Sequence, residues 1–468
     1  MSLLSSLQRR YRAPLGYAEI LRVGLPLVAG MCSTTVMEFT DRLFLSHYSV
    51  DAIAAVMPAT MAWLTMSLTL MGICGYATVL VAQYVGSGAE HRVGAALWQG
   101  LWCALASGAI TLGAGFAAEP FFRFIGHEAQ VLAMEVEYFQ VLSMGTAFFL
   151  LNVTVGAFYS GRGITRPVMV ANMFAAAVNI PLDYLLIFGG FGIPPLGAFG
   201  AALATAAGWA ASLTLLCCLI FTKEHDKRFG VRRDFRPNWE MMRRLLRFGL
   251  PGGFNFFVEL AAIAWFVFEV GTLGTAPLAA SNIAFSINSL VFVPMLGLNT
   301  AVSSLVGQAM GRGRPDEAST VAWNTLHMAL AYMVPVGLGI ALFADPLISL
   351  FAPGDLTPEQ FVPVRTAGVV LLYYIALYSV VDAGNIVYFG ALKGAGDTPG
   401  VLLILVLCGS CFLVVPMLLL KTAGMAGLHT YWWALTAYVI ALAASVVLRF
   451  RGGRWRKIQV VETAPAAE

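Results

Sequence analysis

Four acidic residues lie inside long apolar segments of this sequence. They are Asp41, Asp183, Glu259 and Asp382. A carboxylate within a lipid bilayer is costly unless it is protonated, paired or hydrated. Carboxylates in such places exchange protons or coordinate small cations, so these four residues are the first candidates for chemistry.

Asp41 and Asp183 are expected to form one cluster with Asn179. Both aspartates precede the outer ends of their segments by similar distances, at about 1.5 Å per residue along a helix. Asn179 precedes Asp183 by one helical turn and so shares its face. Pro181 removes one backbone donor, which can leave a carbonyl free as a further ligand. We expect this cluster to accept a proton or a cation; a structural hydrogen-bond network between two helices is the alternative.

Glu259 and Asp382 are predicted to lie near mid-bilayer, where each intramembrane acid is a candidate for a functional role. A buried polar pair between helices is the alternative. Glu269 lies near the end of its segment, where interfacial hydration is expected. Aromatic and methionine side chains near the acids would suit a bulky lipophilic cation. The predicted substrate-cavity residues are Glu38, Met57, Met61, Phe254, Phe257 and Trp265.

The elements that must position these residues are membrane-spanning helices. Of the 468 residues, 59% are hydrophobic and only 11% are charged. Soluble domains carry about 25% charged residues, so a soluble globular fold is excluded. The apolar runs are continuous, whereas an outer-membrane barrel needs alternating ones. Charged and Gly/Pro-rich stretches separate twelve apolar segments, each exceeding the roughly 20 residues that a helical span requires.

The distribution of basic residues predicts the orientation. All but four of the 28 Lys and Arg residues lie at the termini or after even-numbered segments. Loops rich in Lys and Arg stay in the cytoplasm, so both termini are expected to be cytoplasmic. The basic stretch 223–247 is expected to lie against anionic lipid rather than nucleic acid.

The two halves of the chain repeat the same motifs. Gly24-Leu25-Pro26 recurs as Gly249-Leu250-Pro251, and Gln83 recurs at the same spacing as Gln308. Two six-segment copies enter the membrane in the same orientation, which is a parallel repeat. The predicted fold class is an all-α membrane protein with twelve transmembrane helices in two six-helix bundles and a central cleft. The predicted parts are a cytoplasmic segment 1–14, an N-terminal lobe 15–222, a cytoplasmic linker 223–242, a C-terminal lobe 243–450 and a cytoplasmic tail 451–468.

Six motifs occur in an order that is typical of one transporter family. They are GLPLVAGMCSTTVMEFTDRLFLSHYSVDAIAAV in the first segment, the Gln83-Tyr84-Val85-Gly86 turn, NIPLDYLLIFG from Asn179, LGAFGAALAT after it, GLPGGFNFFVEL in the seventh segment, and GALKGAGDT from Gly390. On these residues the chain resembles the multidrug and toxic compound extrusion (MATE) transporters, from about residue 15 to about residue 450.

The resemblance implies roles for the acids. In the DinF-like branch of that family, the residues matching Asp41, Asn179 and Asp183 accept protons or cations. In the NorM-like branch, acids matching Glu259 and Asp382 belong to a cation site. This chain carries both sets, so it combines features of two branches, and either H⁺ or Na⁺ remains open as the coupling ion.

The expected function is secondary active antiport in the bacterial inner membrane, exporting hydrophobic organic cations in exchange for protons or sodium ions. The alternative is a lipid-linked oligosaccharide flippase of the same superfamily, which the scarcity of intramembrane Arg and Lys disfavours. An enzyme is not expected, because no nucleophile constellation and no metal motif such as HExxH occurs. We expect no cofactor or structural metal besides the coupling ion. The expected partners are a small-molecule substrate and membrane lipid, without nucleic acid, for a protein that acts as a monomer.

Overall fold

The computed structural model describes residue 11 and residues 15–125, 129–352 and 358–462. Within these ranges the regular structure is helical, apart from one isolated β-bridge between Gly190 and Ile193. Twelve of the described helices are long and apolar enough to cross a membrane. They are Tyr17–Tyr48 (α1), Ala55–Gly86 (α2), Glu90–Phe116 (α3), Val131–Gly161 (α4), Arg166–Phe188 (α5), Gly197–Ile220 (α6), Trp239–Gly271 (α7), Thr275–Gly311 (α8), Pro315–Leu342 (α9), Gln360–Ala395 (α10), Thr398–Thr422 (α11) and Leu428–Arg451 (α12). The predicted all-α fold with twelve transmembrane helices is confirmed.

Several of these helices are interrupted or longer than a bilayer requires. Their lengths range from 23 to 37 residues, whereas a bilayer core of about 30 Å needs about 20. The longer helices therefore tilt or extend beyond the hydrocarbon. α2 breaks after Cys74 and resumes at Ala77, and α11 contains a π-helical turn at Gly409–Val414. Among the described residues, three short α-helices lie outside the spans, Ala118–Ile125, Lys223–Phe229 and Ala344–Ser349, together with one 3-10 helix, Arg454–Lys457.

Contacts divide the chain into two compact units. The N-terminal unit comprises the described residues within Arg22–Phe257 and Gly307–Arg314 and from Gln459 onward, and the C-terminal unit comprises those up to Leu21 and within Val258–Val306 and Pro315–Ile458. Helices α2 to α6 lie wholly in the N-terminal unit, and α9 to α12 lie wholly in the C-terminal unit. Helices α1, α7 and α8 contribute residues to both. The predicted lobes 15–222 and 243–450 place these three helices differently, because sequence order assigns each helix to a single lobe.

The first half of α7 packs against α2 within the N-terminal unit. Glycines make this close packing possible, since a Cβ on Gly249 would lie 2.8 Å from the carbonyl oxygen of Ile73. Phe248 stacks on Tyr76 with ring centroids 5.9 Å apart. α7 therefore begins among residues of the preceding half of the chain.

The ends of α2 and α8 also cross closely within the N-terminal unit. A Cβ added to Gly86 would overlap the backbone carbonyl of Gln308, and one added to Gly311 would overlap that of Gln83. The two contacts are reciprocal, and the four residues occupy equivalent positions in the sequence repeat. The internal repeat is thus visible in the packing as well as in the sequence.

We expect Gly86→Ala to destabilise the protein by about 1 to 3 kcal/mol, the usual cost of overpacking a tight contact. The clash is with backbone, which cannot rotate away as a side chain would. Gly113→Ala is the matched control, because Gly113 also lies in a helix and, apart from its own stretch of helix backbone, no described atom is within 4 Å of its added Cβ. There the higher helix propensity of alanine should leave stability unchanged or slightly raised. Thermal unfolding in detergent measures both variants, and equal melting temperatures would contradict the close crossing.

The segment predicted to be a linker, 223–242, is docked on α3. The Nε1 of Trp98 donates to the carbonyl oxygen of Val231 at 2.8 Å, and the Nε1 of Trp102 donates to that of Phe235 at 2.9 Å. The two tryptophans are four residues apart and so lie on one face of the helix. The segment therefore runs along α3 and is held to it by these two hydrogen bonds. α7 already begins at Trp239, inside the predicted linker.

Candidate functional site

The first candidate site lies in the N-terminal unit, on α1 and α5. Asp41 comes from α1, and Asn179 and Asp183 come from one face of α5. Asn179 and Asp183 are fully buried, and Asp41 is 8% exposed. Asp183 interacts electrostatically with Asp41 and lies beside Asn179. The structure brings together the three residues that were predicted to form a cluster.

The polar atoms of this cluster have too few partners. Both carboxylate oxygens of Asp183, both amide atoms of Asn179 and the Oδ1 of Asp41 have no hydrogen-bond partner in the described part of the chain. Asn179 therefore lies beside Asp183 without forming a hydrogen bond to its carboxylate. An unpaired buried carboxylate costs several kcal/mol when it is charged. The site is therefore suited to taking up a proton or a small cation.

Two charged neighbours on α1 flank the cluster. Arg42 is exposed and interacts with Asp41 electrostatically, but within residues 15–125 the two form no ion pair. Glu38 is also exposed and interacts with Asp41. The charge of Asp41 is therefore not locked to an arginine, and the predicted cavity residue Glu38 lies next to the cluster.

Tyr138 on α4 belongs to this site and was not predicted. Its side chain is 4% exposed and interacts with both Asp41 and Asp183. Its hydroxyl lies beside Thr60, and it donates no hydrogen bond to the unpaired oxygens of Asp41 and Asp183. The sequence contains no spacing signal for Tyr138, because it lies on a third helix and meets the acids only through packing.

The second candidate site lies in the C-terminal unit. Glu259 on α7 and Asp382 on α10 are half-buried and interact electrostatically. The Nδ2 of Asn385 donates to Oδ1 of Asp382 at 3.1 Å, whereas the Oδ1 of Asn385 has no partner among the described residues. Tyr438 on α12 interacts with both acids. Two carboxylates and a free amide oxygen are ligands that a hard cation prefers.

Asn385 and Tyr438 were not predicted. The three-residue spacing between Asp382 and Asn385 places them on one helical face, so this contact had a local signal. Tyr438 comes from a helix distant in the sequence and had none.

The predicted cavity residues other than Glu38 fall into two groups. Met57, Met61, Phe254 and Phe257 retain 44% to 49% of their surface. Trp265 is half-buried, and its Nε1 has no partner within the described ranges. The exposed side chains are free to contact lipid or solute, and their role in substrate binding stays a prediction.

Glu269 differs from its predicted environment. It is 3% exposed, and the Nζ of Lys421 donates to its two carboxylate oxygens at 3.1 and 2.8 Å. The expectation of a hydrated interfacial side chain was wrong, because α11 supplies a cation that local sequence could not indicate. The paired charge of Glu269 distinguishes it from the under-bonded acids above.

A comparison with known families decides the class of this protein. The MatE family model matches the chain twice, at residues 26–185 and 251–420. This chain belongs to the MatE family. The two matches fall on the two halves of the repeat, and the membrane transporter predicted from the sequence is confirmed.

Relatives of this MatE protein cover nearly its whole length. The probable multidrug resistance protein NorM of Thermotoga maritima is 27% identical over 447 residues, which are 95% of this chain and 94% of the relative. The multidrug resistance protein MdtK of Yersinia pestis is 26% identical over 450 residues, covering 94% of this chain and 96% of the relative. The similarity therefore extends through both halves.

Solved structures share the fold of this MatE protein. One is described as the outward-facing conformation of a multidrug resistance MATE family transporter of the MOP superfamily; it has a TM-score of 0.84 and 23% identity over 94% of this chain and 95% of that one. A MOP superfamily transporter from Pyrococcus furiosus has a TM-score of 0.85 and 22% identity over 96% of this chain and 98% of that one. At these identities the likeness shows the fold.

Proposed function

We propose that this MatE protein is a secondary active antiporter that exports hydrophobic organic cations in exchange for protons or sodium ions. The observation that carries the proposal is the fully buried carboxylate of Asp183, which has no hydrogen-bond partner in the described ranges. A carboxylate in a membrane helix is tolerated when a proton or cation neutralises it, so Asp183 is the candidate site for the exchanged ion. The relatives NorM and MdtK are named as multidrug resistance proteins, which supports drug efflux rather than flipping of a lipid-linked saccharide.

The exchange follows from electrostatics. While Asp41 and Asp183 are empty, their negative charge attracts an organic cation to exposed groups such as Glu38. When a proton or sodium ion binds, it neutralises that charge and removes the attraction. Because the ion binds one conformation better than another, its binding also shifts the conformational equilibrium. Pro181 weakens the backbone of α5 next to the site, which makes that helix a natural place for the response.

The orientation that we propose places both termini in the cytoplasm of a bacterial cell, with the protein in the inner membrane. The excess of Lys and Arg at the termini and after even-numbered helices supports it. A protease-cleavable tag at the C terminus should be cut in everted vesicles and protected in intact spheroplasts. The reverse pattern would contradict this orientation.

Transport in proteoliposomes tests the function. We expect an imposed proton or sodium gradient to drive accumulation of an organic-cation dye, and a matching ionophore to abolish it. Comparing the two gradients at a fixed membrane potential identifies the coupling ion. Dye accumulation that needs ATP, or that ignores both gradients, would rule out ion-coupled antiport.

A further inference from the structure

The beginning of α7 lies beyond the hydrocarbon of the bilayer. α7 has 33 residues, and at about 1.5 Å per residue it is about 50 Å long, against a hydrocarbon thickness of about 30 Å. All of its basic residues precede Leu250. The first turns therefore pass through the layer of lipid headgroups.

Hydrogen bonds from the side chains of Gln99 and Asn238 fix the position of the first turns of α7. The Oε1 of Gln99 on α3 accepts from the backbone N–H of Asn238 at 3.0 Å, and its Nε2 donates to the carbonyl oxygen of Arg236 at 3.3 Å. The Oδ1 of Asn238 accepts from the backbone N–H of Met241 at 3.1 Å, which caps the start of α7. These hydrogen bonds fix the backbone of residues 236–241, so the surface that they form does not depend on a bound ligand.

Three arginines on this surface have no carboxylate partner. Arg236, Arg243 and Arg247 are exposed, and none of them forms an ion pair among the described residues. Arg244 differs, because its guanidinium binds Glu240 at 2.6 Å and Glu462 at 2.7 Å. The surface therefore presents uncompensated positive charge at headgroup depth.

Two of these arginines share a helical face with apolar side chains. Trp239, Arg243, Arg247 and Leu250 are spaced three or four residues apart, which places them along one side of α7; we call them the α7 stripe. Trp239 is 75% exposed and Leu250 is 40% exposed. Tryptophan is enriched at membrane interfaces, so the stripe runs from a charged, aromatic end into the hydrocarbon.

We propose that the α7 stripe, together with Arg236, is a binding site for one anionic phospholipid. The phosphate lies between Arg243 and Arg247, which are one helical turn apart, because guanidinium groups bind phosphate oxygens in pairs of parallel hydrogen bonds. Arg236 adds positive charge just before the start of the same helix. The acyl chain lies along Leu250, and Trp239 lies on the headgroup side of the phosphate, about one helical turn before Arg243. A zwitterionic lipid carries its own ammonium group, which would oppose the three unpaired arginines, so the site selects net negative headgroups.

Native mass spectrometry of the full chain in detergent tests this site. We expect the protein to retain phosphatidylglycerol more tightly than phosphatidylcholine. In the double variant Arg243→Gln/Arg247→Gln, affinity for phosphatidylglycerol should fall by about twentyfold or more, since each basic residue near the surface contributes a factor of about five. Arg244→Gln is the matched control, because Arg244 already has carboxylate partners, and it should keep the preference.

Several outcomes would overturn the proposal. One is equal retention of the two lipids by the unmodified protein, and another is the same loss in the Arg244→Gln control as in the double variant. Displacement of the lipid by millimolar inorganic phosphate would mean that the surface takes a soluble anion. A dimer that replaces the lipid-bound monomer would mean that a second copy covers the stripe. Unchanged melting temperatures for the variants show that loss of lipid does not reflect misfolding.

Discussion

Asp183→Asn is expected to abolish ion-driven dye transport while leaving the protein at least as stable as before. The substitution keeps the shape of the side chain and removes the charge, so the site no longer binds and releases an ion. Because the carboxylate is buried without a hydrogen-bond partner in the described ranges, removing its charge should leave the free energy of unfolding unchanged or raise it. Asp41→Asn should behave in the same way. Transport assays in proteoliposomes, paired with thermal unfolding, measure the two effects.

Measuring both transport and thermal unfolding distinguishes an ion-binding role of the cluster from a purely structural one, in which it only joins α1 to α5. If the cluster only joined α1 to α5, either asparagine variant would lose stability and keep residual coupling. Glu119→Gln is the control, because Glu119 lies in the same unit, is exposed and pairs with Arg123. An exposed ion pair contributes about 1 kcal/mol at most, so this variant should transport normally. Normal ion-driven transport by Asp183→Asn would contradict the assigned role.

Glu259→Gln and Asp382→Asn are expected to weaken sodium binding by about tenfold or more while sparing transport driven by a proton gradient. The acids in the C-terminal unit interact with each other and are accompanied by the free amide oxygen of Asn385, and oxygen ligands of this kind are those that a hard cation prefers. Asp183 is fully buried, and full neutralisation by a proton suits it better. Losing one carboxylate ligand, worth at least about 1.4 kcal/mol, gives the tenfold change.

The sodium dependence of dye transport and of the melting temperature, with potassium as the reference ion, measures this prediction. Asp345→Asn is the control in the same unit, since Asp345 is exposed and bonded to Arg365 through both carboxylate oxygens at 2.6 Å. It should leave the sodium response unchanged. An unchanged sodium response in Glu259→Gln would remove the C-terminal cluster from ion binding.

The number and type of the spanning helices could be predicted because the signal is local. A helix in lipid satisfies its own backbone hydrogen bonds, so a sufficiently long apolar run forms one whatever its neighbours are. The ends of the spans were less predictable. α7 begins at Trp239, within a polar stretch that the sequence predicts to be a linker. It begins there because Asn238 caps the helix and Gln99 on α3 hydrogen-bonds to the residues just before it.

The candidate sites were predictable to the extent that spacing along one helix determines them. Asn179 and Asp183 share a face because they are four residues apart, and the cost of burying an acid made Asp41 and Asp183 stand out. Tyr138 and Tyr438 could not be found in this way. Each tyrosine lies near a pair of acids that belong to other helices, distant from it in the sequence. Periodicity along a single helix cannot predict a contact of that kind.

By itself, the sequence determined a twelve-helix membrane transporter with a duplicated plan and acids buried in its helices, since apolar length and charge act through lipid at each residue separately. Only the tertiary structure decided which acids are left without partners and which are neutralised. Asp183 remains unbonded among the described residues, whereas Glu269 is paired with Lys421. The physical reason is that the charge state of a buried carboxylate depends on what neighbouring helices place within a few ångströms of it, and that is set by packing.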